Sequence, residues 1–414
     1  MPYVIGVGST KYGRFQPISF SQFAQRAIDN CMEDAKIPLP RLDIIYFANC
    51  AMNAWGQANI RGQVVLASFM QQNEFARRTP IVNVEAGCAT GGSAFASAYN
   101  AVSSQSADYA LALGVEKLLF PDDPKMKKSL PIFSSGIDQF DQDKWLKHYQ
   151  AQAEKHEVEF SPSPFRVIFL DIHAMQAQYA IAKKGLTQQQ IATVASKNHI
   201  NGKRNPFAQY RFGMTPEQVI SDRDIIYPFT RAMCAPVSDG ATAVLLCSDR
   251  VYGELPGPLK QRAVKILGCA MAGGSLRDLS ATSVTHYAAQ KAYYAAGLGP
   301  AHIDIAEVHD SSAFCEIKHI EELGFCEHGG EYTQAGCTFP NGERPVNVSG
   351  GLIAKGHPLG ATGLGMIFEL SKQLRGEAGK RQIEKQPAIG LAHNAGGMVG
   401  LDEALCVVSI LGRS

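Results

Sequence analysis

A chain of 414 residues is longer than one hydrophobic core usually serves; at about 150 residues per domain it divides into two or three packed units, which excludes a single small binding module. Lys+Arg 39 against Asp+Glu 38 leaves a formal charge of +1, so neither the basic footprint of a nucleic-acid binder nor the acidic excess of a solvating tail is present. Hydrophobic residues at 45% with 39 Gly and 20 Phe describe a folded globular protein rather than a disordered chain. Ten cysteines run from Cys31 to Cys406 without a CxxC pair or a zinc-type cluster with histidine, the pattern of free thiols in a reducing compartment. MPYVIGVGSTKYGRF enters a strand-like segment without a basic stretch and apolar core, no 18-residue apolar run follows, and LGRS at the end is not an SKL-type address. The expected location is cytoplasmic, with no membrane span.

In chain order, a strand-like IGVGS precedes the amphipathic helix FSQFAQRAIDNCMEDAKI, then LDIIYFANC, PIVNVEAG, the helix SAFASAYNAVSS and ADYALALGVE. The last 150 residues repeat this plan: VKILGCAMAGG, the helix VTHYAAQKAYYAAGL, IDIAEVHD, PVNVSGG, the helix GLGMIFELSKQLRG and PAIGLAHNAGG. Ala35, Ile37, Leu42 and Asp43 find counterparts in Ala296, Leu298, Ile303 and Asp304 at one constant offset, and Asn83-Val84 matches Asn347-Val348. Strands alternating with helices predict βαβ units in mainly parallel sheets, an α/β class. Two such halves would pack face to face, with the helices after Asn83 and Asn347 between them and their strand-to-helix turns aimed at one cleft.

From 118 to 226 the pattern breaks. KLLFPDDPKMKK, SPSPF and NGKRNPFAQYRFGMTPE are rich in Pro, Gly and charge, while FLDIHAMQAQYAIAKKG and TQQQIATVASKNHI have helical apolar spacing. This is read as an inserted loop subdomain covering the cleft. It separates a first half, 1–117 plus 227–257 with DGATAVLLCSD as its returning strand, from a second half, 258–414.

Cys88, in VEAGCATGGSAF, lies at the start of a helix of small residues, where unpaired N–H groups and the helix dipole are expected to lower its pKa toward the thiolate. Cys31, Cys50, Cys247, Cys269 and Cys406 sit in apolar runs and are assigned to packing. The equivalent turn of the second half, SGGLIAKGHPLGATG, holds His357 between Gly356 and Pro358, with five glycines from Gly350 to Gly363. A histidine fixed there can face Cys88 and take its proton. VHDSSAFCEI with His309 and LAHNAGGMVG with His393 end second-half strands and are expected to open onto the same cleft. Three histidines near one thiol suit acyl transfer, with imidazole N–H groups or a water as oxyanion hole. A metal is the weaker reading, since Asp310 is the only carboxylate nearby.

These four segments, in this order, resemble the thiolase superfamily and its sterol-carrier-protein-linked branch, over nearly the whole chain. GCATG at Cys88 is similar to the family's acylated nucleophile and GHPLGATG at His357 to its histidine base; NPFAQYR and PVSDGATAV look like stretches of this branch. The resemblance implies the thiolase fold, a duplicated five-layer αβαβα arrangement, and an acyltransferase of lipid metabolism acting on acyl-CoA substrates. Coenzyme A would be a co-substrate, with no permanently bound cofactor. Its phosphates would meet the middle subdomain near Lys203, Arg204 or their neighbours, among which charge alone does not choose. Ile81 to Val84 resembles the family's dimer edge, implying a homodimer or higher oligomer, and some relatives work with an accessory OB-fold subunit. His309 with a water would form the oxyanion hole, while Ser311, His393, Asn394 and Gly397 line the pocket and Asp310 and Glu316 are structural partners.

The chain departs from the family at its second cysteine, which moves a proton on or off the acyl α-carbon or the CoA sulfur. One position for it is taken by His393 and the other, in HDSS, by Ser311. A hydroxyl is a much poorer acid–base than a thiol of pKa about 8.5. Cys315 lies one helical turn on if a helix starts there, pointing deeper. Two competing readings follow. One is a thiolase relative doing another acyl-transfer or carbon–carbon reaction; the other is a non-catalytic acyl-CoA-binding homologue, against which the retention of both Cys88 and His357 argues.

Overall fold

The computed structural model describes residues 1–15, 17–121 and 128–414; residues 122–127 of KLLFPDDPKMKK, read above as loop, lie outside the described residues. Its strands are β1 (Tyr3–Ser9), β2 (Ile44–Ala48), β3 (Ile81–Val84), β4 (Tyr109–Glu116), β5 (Asp224–Ile226), β6 (Phe229–Thr230), β7 (Gly240–Cys247), β8 (Val264–Gly273), β9 (Ile305–Val308), β10 (Ile389–Gly396) and β11 (Leu405–Arg413). Nine of them hydrogen-bond in the order β3-β2-β4-β7-β1-β8-β11-β10-β9, and β5 pairs with β6 apart. The order nearly mirrors itself about the β1–β8 joint, where only Tyr3 with Lys265 and Val4 with Val264 pair. A duplicated unit joined along its first strands gives this result.

The constant offset in sequence corresponds to a shared physical role. The carboxylate of Asp43 accepts the backbone N–H groups of Asp108 and Tyr109, and that of Asp304 accepts those of Ala388 and Ile389, both at 2.8–3.0 Å. Each aspartate thereby fixes the start of the next strand. Two expectations need correction. The sheet is mixed: β2–β3, β2–β4 and β9–β10 are parallel, but β7 and β11 pair antiparallel on both sides. The link from β10 to β11, residues 397–404, is too short for a crossover, so those strands form a hairpin. The PVNV segment also forms no strand, being held by one parallel bridge between Ala306 and Val346.

The helices after the two turns, Thr90–Ser103 and Leu359–Leu374, touch each other and strands of both halves. They form the middle layer of five: outer helices, one half of the nine-stranded sheet, inner helices, the other half of the sheet, outer helices. Their composition explains the placement, since TGGSAFASAYNAVS and LGATGLGMIFELSKQL lack a charged face and bury nearly all their length, as a helix apolar all round must. Phe20–Ala35 covers the first half from outside and Val284–Ala296 the second. Where β4 meets the second inner helix, a Cβ on Gly114 would lie 2.1 Å from the carbonyl oxygen of Gly360, so only glycine permits this approach.

In the inserted segment, helices Ile168–Lys184 and Gln188–Arg204 correspond to the two expected from apolar spacing, the second opened by a capping box at Thr187. A further helix, Gln142–His156, escaped the sequence reading because it is strongly polar and buries only Tyr149 and Ala153. Ile168–Lys184 packs on the helix Ala313–Glu322 of the second half, which closes the cleft from above. Among the described residues no helix is long and apolar enough to cross a membrane.

Candidate active site

The turn after β3 places Cys88 in a short 3-10 segment, Gly87–Ala89, directly before the first inner helix. Gly87 has φ +54, and Cβ atoms added at Gly87 or Gly396 would meet the backbone of Gly397 at 2.9 Å or of Ala89 at 2.2 Å. The turn therefore rests on the end of β10, and Gly397 serves as a backbone surface against it. The expected lowering of the thiol pKa is not what the surroundings produce. Burial, then the carboxylates of Glu116 and Glu85, push Cys88 up to about 12; these outweigh the helix terminus. Cys88 rests as a thiol.

His357 and His309 come to this thiol from the second half: ligand-type atoms of Cys88, His309 and His357 all lie within 4.8 Å of one another. Hydrogen bonds decide which ring nitrogen of each carries the proton. Thr362 Oγ donates to the carbonyl of Pro358 at 3.0 Å, so it accepts from His357 Nδ1 at 2.8 Å, leaving His357 Nε2 a bare lone pair, buried and without a partner. Burial holds His357 down to about 3, so it is a neutral base. Asn394 is fixed the other way round: its carbonyl oxygen accepts Gly92 N–H at 2.9 Å, and its amide donates to the Cys88 carbonyl at 3.0 Å and to His309 Nδ1 at 3.2 Å. Burial and the neighbouring histidines keep His309 neutral, so its proton sits on Nε2. One imidazole offers a lone pair and the other an N–H. A donor among the three candidate ligands suits an oxygen of developing negative charge better than a cation.

Comparison with known proteins shows the family. The family model "Thiolase, N-terminal domain" matches residues 3–226 and "Thiolase C-terminal domain-like" matches 271–412. The chain belongs to the thiolase superfamily. It is 36% identical over 407 residues to acetyl-CoA acetyltransferase of Methanothermobacter thermautotrophicus, covering 96% of each chain. It is 30% identical over 406 residues to sterol carrier protein 2 of Bos taurus, covering 95% of this chain and 70% of that one. Among solved structures, the Ltp2-ChsH2(DUF35) aldolase superposes with a TM-score of 0.76 at 20% identity, over 100% of this chain and 97% of that one.

Not every expected group reaches the thiol. His393 does not: it bonds Thr285 Oγ at 3.0 Å, accepts His309 N–H on Nδ1 and packs its ring 4.3 Å from that of His319. Side chains alternate along β10, so the residue facing Cys88 is Asn394 and its neighbour turns outward. Ser311 lines the cavity of about 110 Å³ that also holds Cys88, His309, His357, Gly397 and, unforeseen, His173. Asp310 accepts from Leu352 N–H and Asn198, and Glu316 from Asn198 and Asn347 while pairing with Lys197 at 2.9 Å; both carboxylates are wholly buried and away from the thiol. Of the cysteines assigned to packing, Cys31, Cys247 and Cys406 are buried. Cys50 instead borders, with Cys88, a second cavity of about 250 Å³, where it donates to Glu85 at 3.5 Å. Thr362, Glu116 and His173 were missed; Thr362 lies within the His357 turn itself, five residues on, where its contact was readable as a local one, whereas Glu116 acts through contacts made across the fold, which no local motif signals.

Proposed function

We propose that this thiolase is a CoA-dependent acyltransferase that cleaves a 3-oxoacyl-CoA, or runs the reverse condensation, through a thioester on Cys88. The observation that carries this reading is the complementary pair of tautomers around one thiol. His357 Nε2 takes the Cys88 proton as sulfur attacks the substrate carbonyl, and His309 Nε2–H, held by Asn394, hydrogen-bonds the oxygen as it becomes an oxyanion. Because Cys88 is pushed up to about 12 and His357 down to about 3, no charged pair exists at rest. Charge develops only as the carbonyl is attacked, where the donors are already in place. Ile132, Phe133, Phe169, Leu359 and Leu405 line the second cavity beside Cys88, an apolar space fitting an acyl chain. The names of the relatives, acetyl-CoA acetyltransferase above all, agree with the reaction class.

Intact mass spectrometry after incubation with acetyl-CoA or acetoacetyl-CoA tests the reading. An acetyl adduct is expected on the wild type, none on Cys88→Ala, and CoA-dependent cleavage of acetoacetyl-CoA should accompany it. An adduct without cleavage would shift the reading to a different acyl-transfer or carbon–carbon reaction, with an accessory subunit such as the DUF35 partner named for the aldolase neighbour. No adduct with any acyl-CoA would overturn it in favour of a binding homologue. The chain is further proposed to form a homodimer through β3, which ends the sheet and leaves Val82 42% exposed, an edge that a second copy can extend. Light scattering should give twice the mass of one chain; monomeric elution would remove this proposal.

A further inference from the structure

A thiolase reaction moves two protons: one between Cys88 and its base, the other at the acyl α-carbon and the CoA sulfur. For the second, the positions singled out by sequence hold Ser311, a hydroxyl, and His393, which faces away. A different pair of titratable groups has one member at the same cavity. His173, on the helix Ile168–Lys184 of the inserted segment, lines the cavity together with Cys88 and His357. Its Nδ1 lies 3.5 Å from the sulfur of Cys315, in the first turn of Ala313–Glu322. Ser312 Oγ lies 3.2 Å from that sulfur and Ser311 Oγ donates to it at 3.6 Å. Cys315 is 1% exposed and His173 6%, so the imidazole, and not the thiol, is the member that reaches the cavity.

We propose that His173, paired with Cys315, is the acid–base that exchanges the second proton with the acyl α-carbon and the CoA thiol. The proposal rests on the acyl-transfer reading above. Burial opposes ionisation of Cys315, but the adjoining His173, the more distant His319 and the Ser312 hydrogen bond outweigh it and hold the thiol down to about 6. Burial likewise opposes protonation of His173, and the Cys315 sulfur outweighs it, raising the imidazole. The start of a helix adds its own preference for a thiolate. The two Cys–His pairs are thus pushed in opposite directions: Cys88 and His357 toward the neutral pair, Cys315 and His173 toward thiolate and imidazolium. Environments that push titratable groups apart divide the acid and base roles.

The steps balance. In cleavage, Cys88 sulfur bonds to the 3-carbonyl carbon while its proton passes to His357. The bond between that carbon and the α-carbon breaks, and its electron pair leaves on the enolate of the departing thioester. The His173 imidazolium protonates the enolate carbon, leaving the pair with one proton fewer. Coenzyme A then attacks the Cys88 thioester, its thiol proton restores His173, and Cys88 sulfur leaves with the proton held by His357. Cys315 touches no substrate; it is a positioning residue that keeps His173 charged between turnovers.

The test uses the full chain with acetyl-CoA in deuterated water, following deuterium at the α-carbon and acetyl adduct on Cys88 separately. In His173→Gln and in Cys315→Ser, the adduct should still form but more slowly, because the departing CoA sulfur also loses its proton donor, while α-exchange falls by about 100-fold or more. The double variant should be no worse than either single one, since the pair acts as a unit. The ultraviolet thiolate band of the resting protein should vanish in Cys315→Ser and persist in Cys88→Ala, a readout that needs no turnover. Exchange within about threefold of wild type in either variant, or a thiolate band unchanged by Cys315→Ser, would overturn the proposal while leaving acyl transfer standing. Absence of the wild-type adduct would instead remove the acyl-transfer reading and this proposal with it.

Discussion

Replacing His357 with alanine is expected to slow acylation of Cys88 by about 10²–10⁴-fold, the range of a positioned general base. The size follows from the resting state of the thiol. With Cys88 pushed up to about 12, each pH unit below that value costs about 1.36 kcal/mol to reach the thiolate, and the unpartnered His357 Nε2 is the lone pair beside it. Rapid-quench mass spectrometry of the adduct measures the effect, and a rate within tenfold of wild type would show that another group takes the proton. Thr362→Val, which removes the acceptor holding Nδ1–H, should slow acylation less, because the ring stays and only its preferred tautomer is lost. In the wild type, acylation should be flat across neutral pH, the pair being neutral throughout. His357 also links stability to pH. Its folded value of about 3 lies below the ordinary 6.5, so between these limits the unfolded chain takes up a proton that the folded chain refuses, and stability falls as pH is lowered from 6.5 toward 3.

Lys197→Met should cost about 3–5 kcal/mol of stability, the penalty for leaving a buried charge without its partner. Lys197 and Glu316 are both wholly enclosed and 2.9 Å apart, and the ammonium also donates to the Val346 carbonyl and to Asn198. Asp310 shares Asn198 with Glu316; burial, with Glu316 next, already raises its pKa well above the usual carboxylate range, and Lys197 opposes that rise. Without the cation, two carboxylates face each other in a closed core. Urea unfolding at an unchanged m-value reads the loss. A second variant, Lys197→Met with Glu316→Gln, should recover a large part of it because the orphaned charge is gone. A loss below about 1 kcal/mol would mean that water reaches the network. Since Asp310 adjoins His309 and holds the Leu352 N–H, acylation should weaken along with stability.

The architecture was legible because the duplication leaves marks that composition cannot imitate. Asp43 and Asp304 repeat at one offset because each must satisfy the first N–H groups of a neighbouring strand. The direction of β7 and β11 was not legible: apolar runs look alike in parallel and antiparallel sheets, and only loop length tells them apart. At the site, glycine and proline around Cys88 and His357 marked two turns with special backbone demands. His393 was misjudged because a shift of one residue along a strand exchanges its faces, and LAHNAGG has no feature that sets the register. The thiol pKa was misjudged because the helix start is local, whereas burial and, after it, Glu116 approaching from β4 come from the whole fold. His173 lies far from every motif, on a helix whose sequence announces packing; its meaning comes from the sulfur opposite it.

Cys88 belongs to the first half, whereas His357, His309 and Asn394 all belong to the second, and each half supplies one of the two inner helices. Any motion that parts the halves therefore takes His357 and His309 away from the sulfur together. A transiently open molecule would expose a thiol to solvent yet hold it outside the machinery that makes it an acyl acceptor. Under the proposed reaction the protein would in this sense be self-silencing: loosening the seam would leave Cys88 without His357 and His309 rather than a thiol that acylates itself indiscriminately.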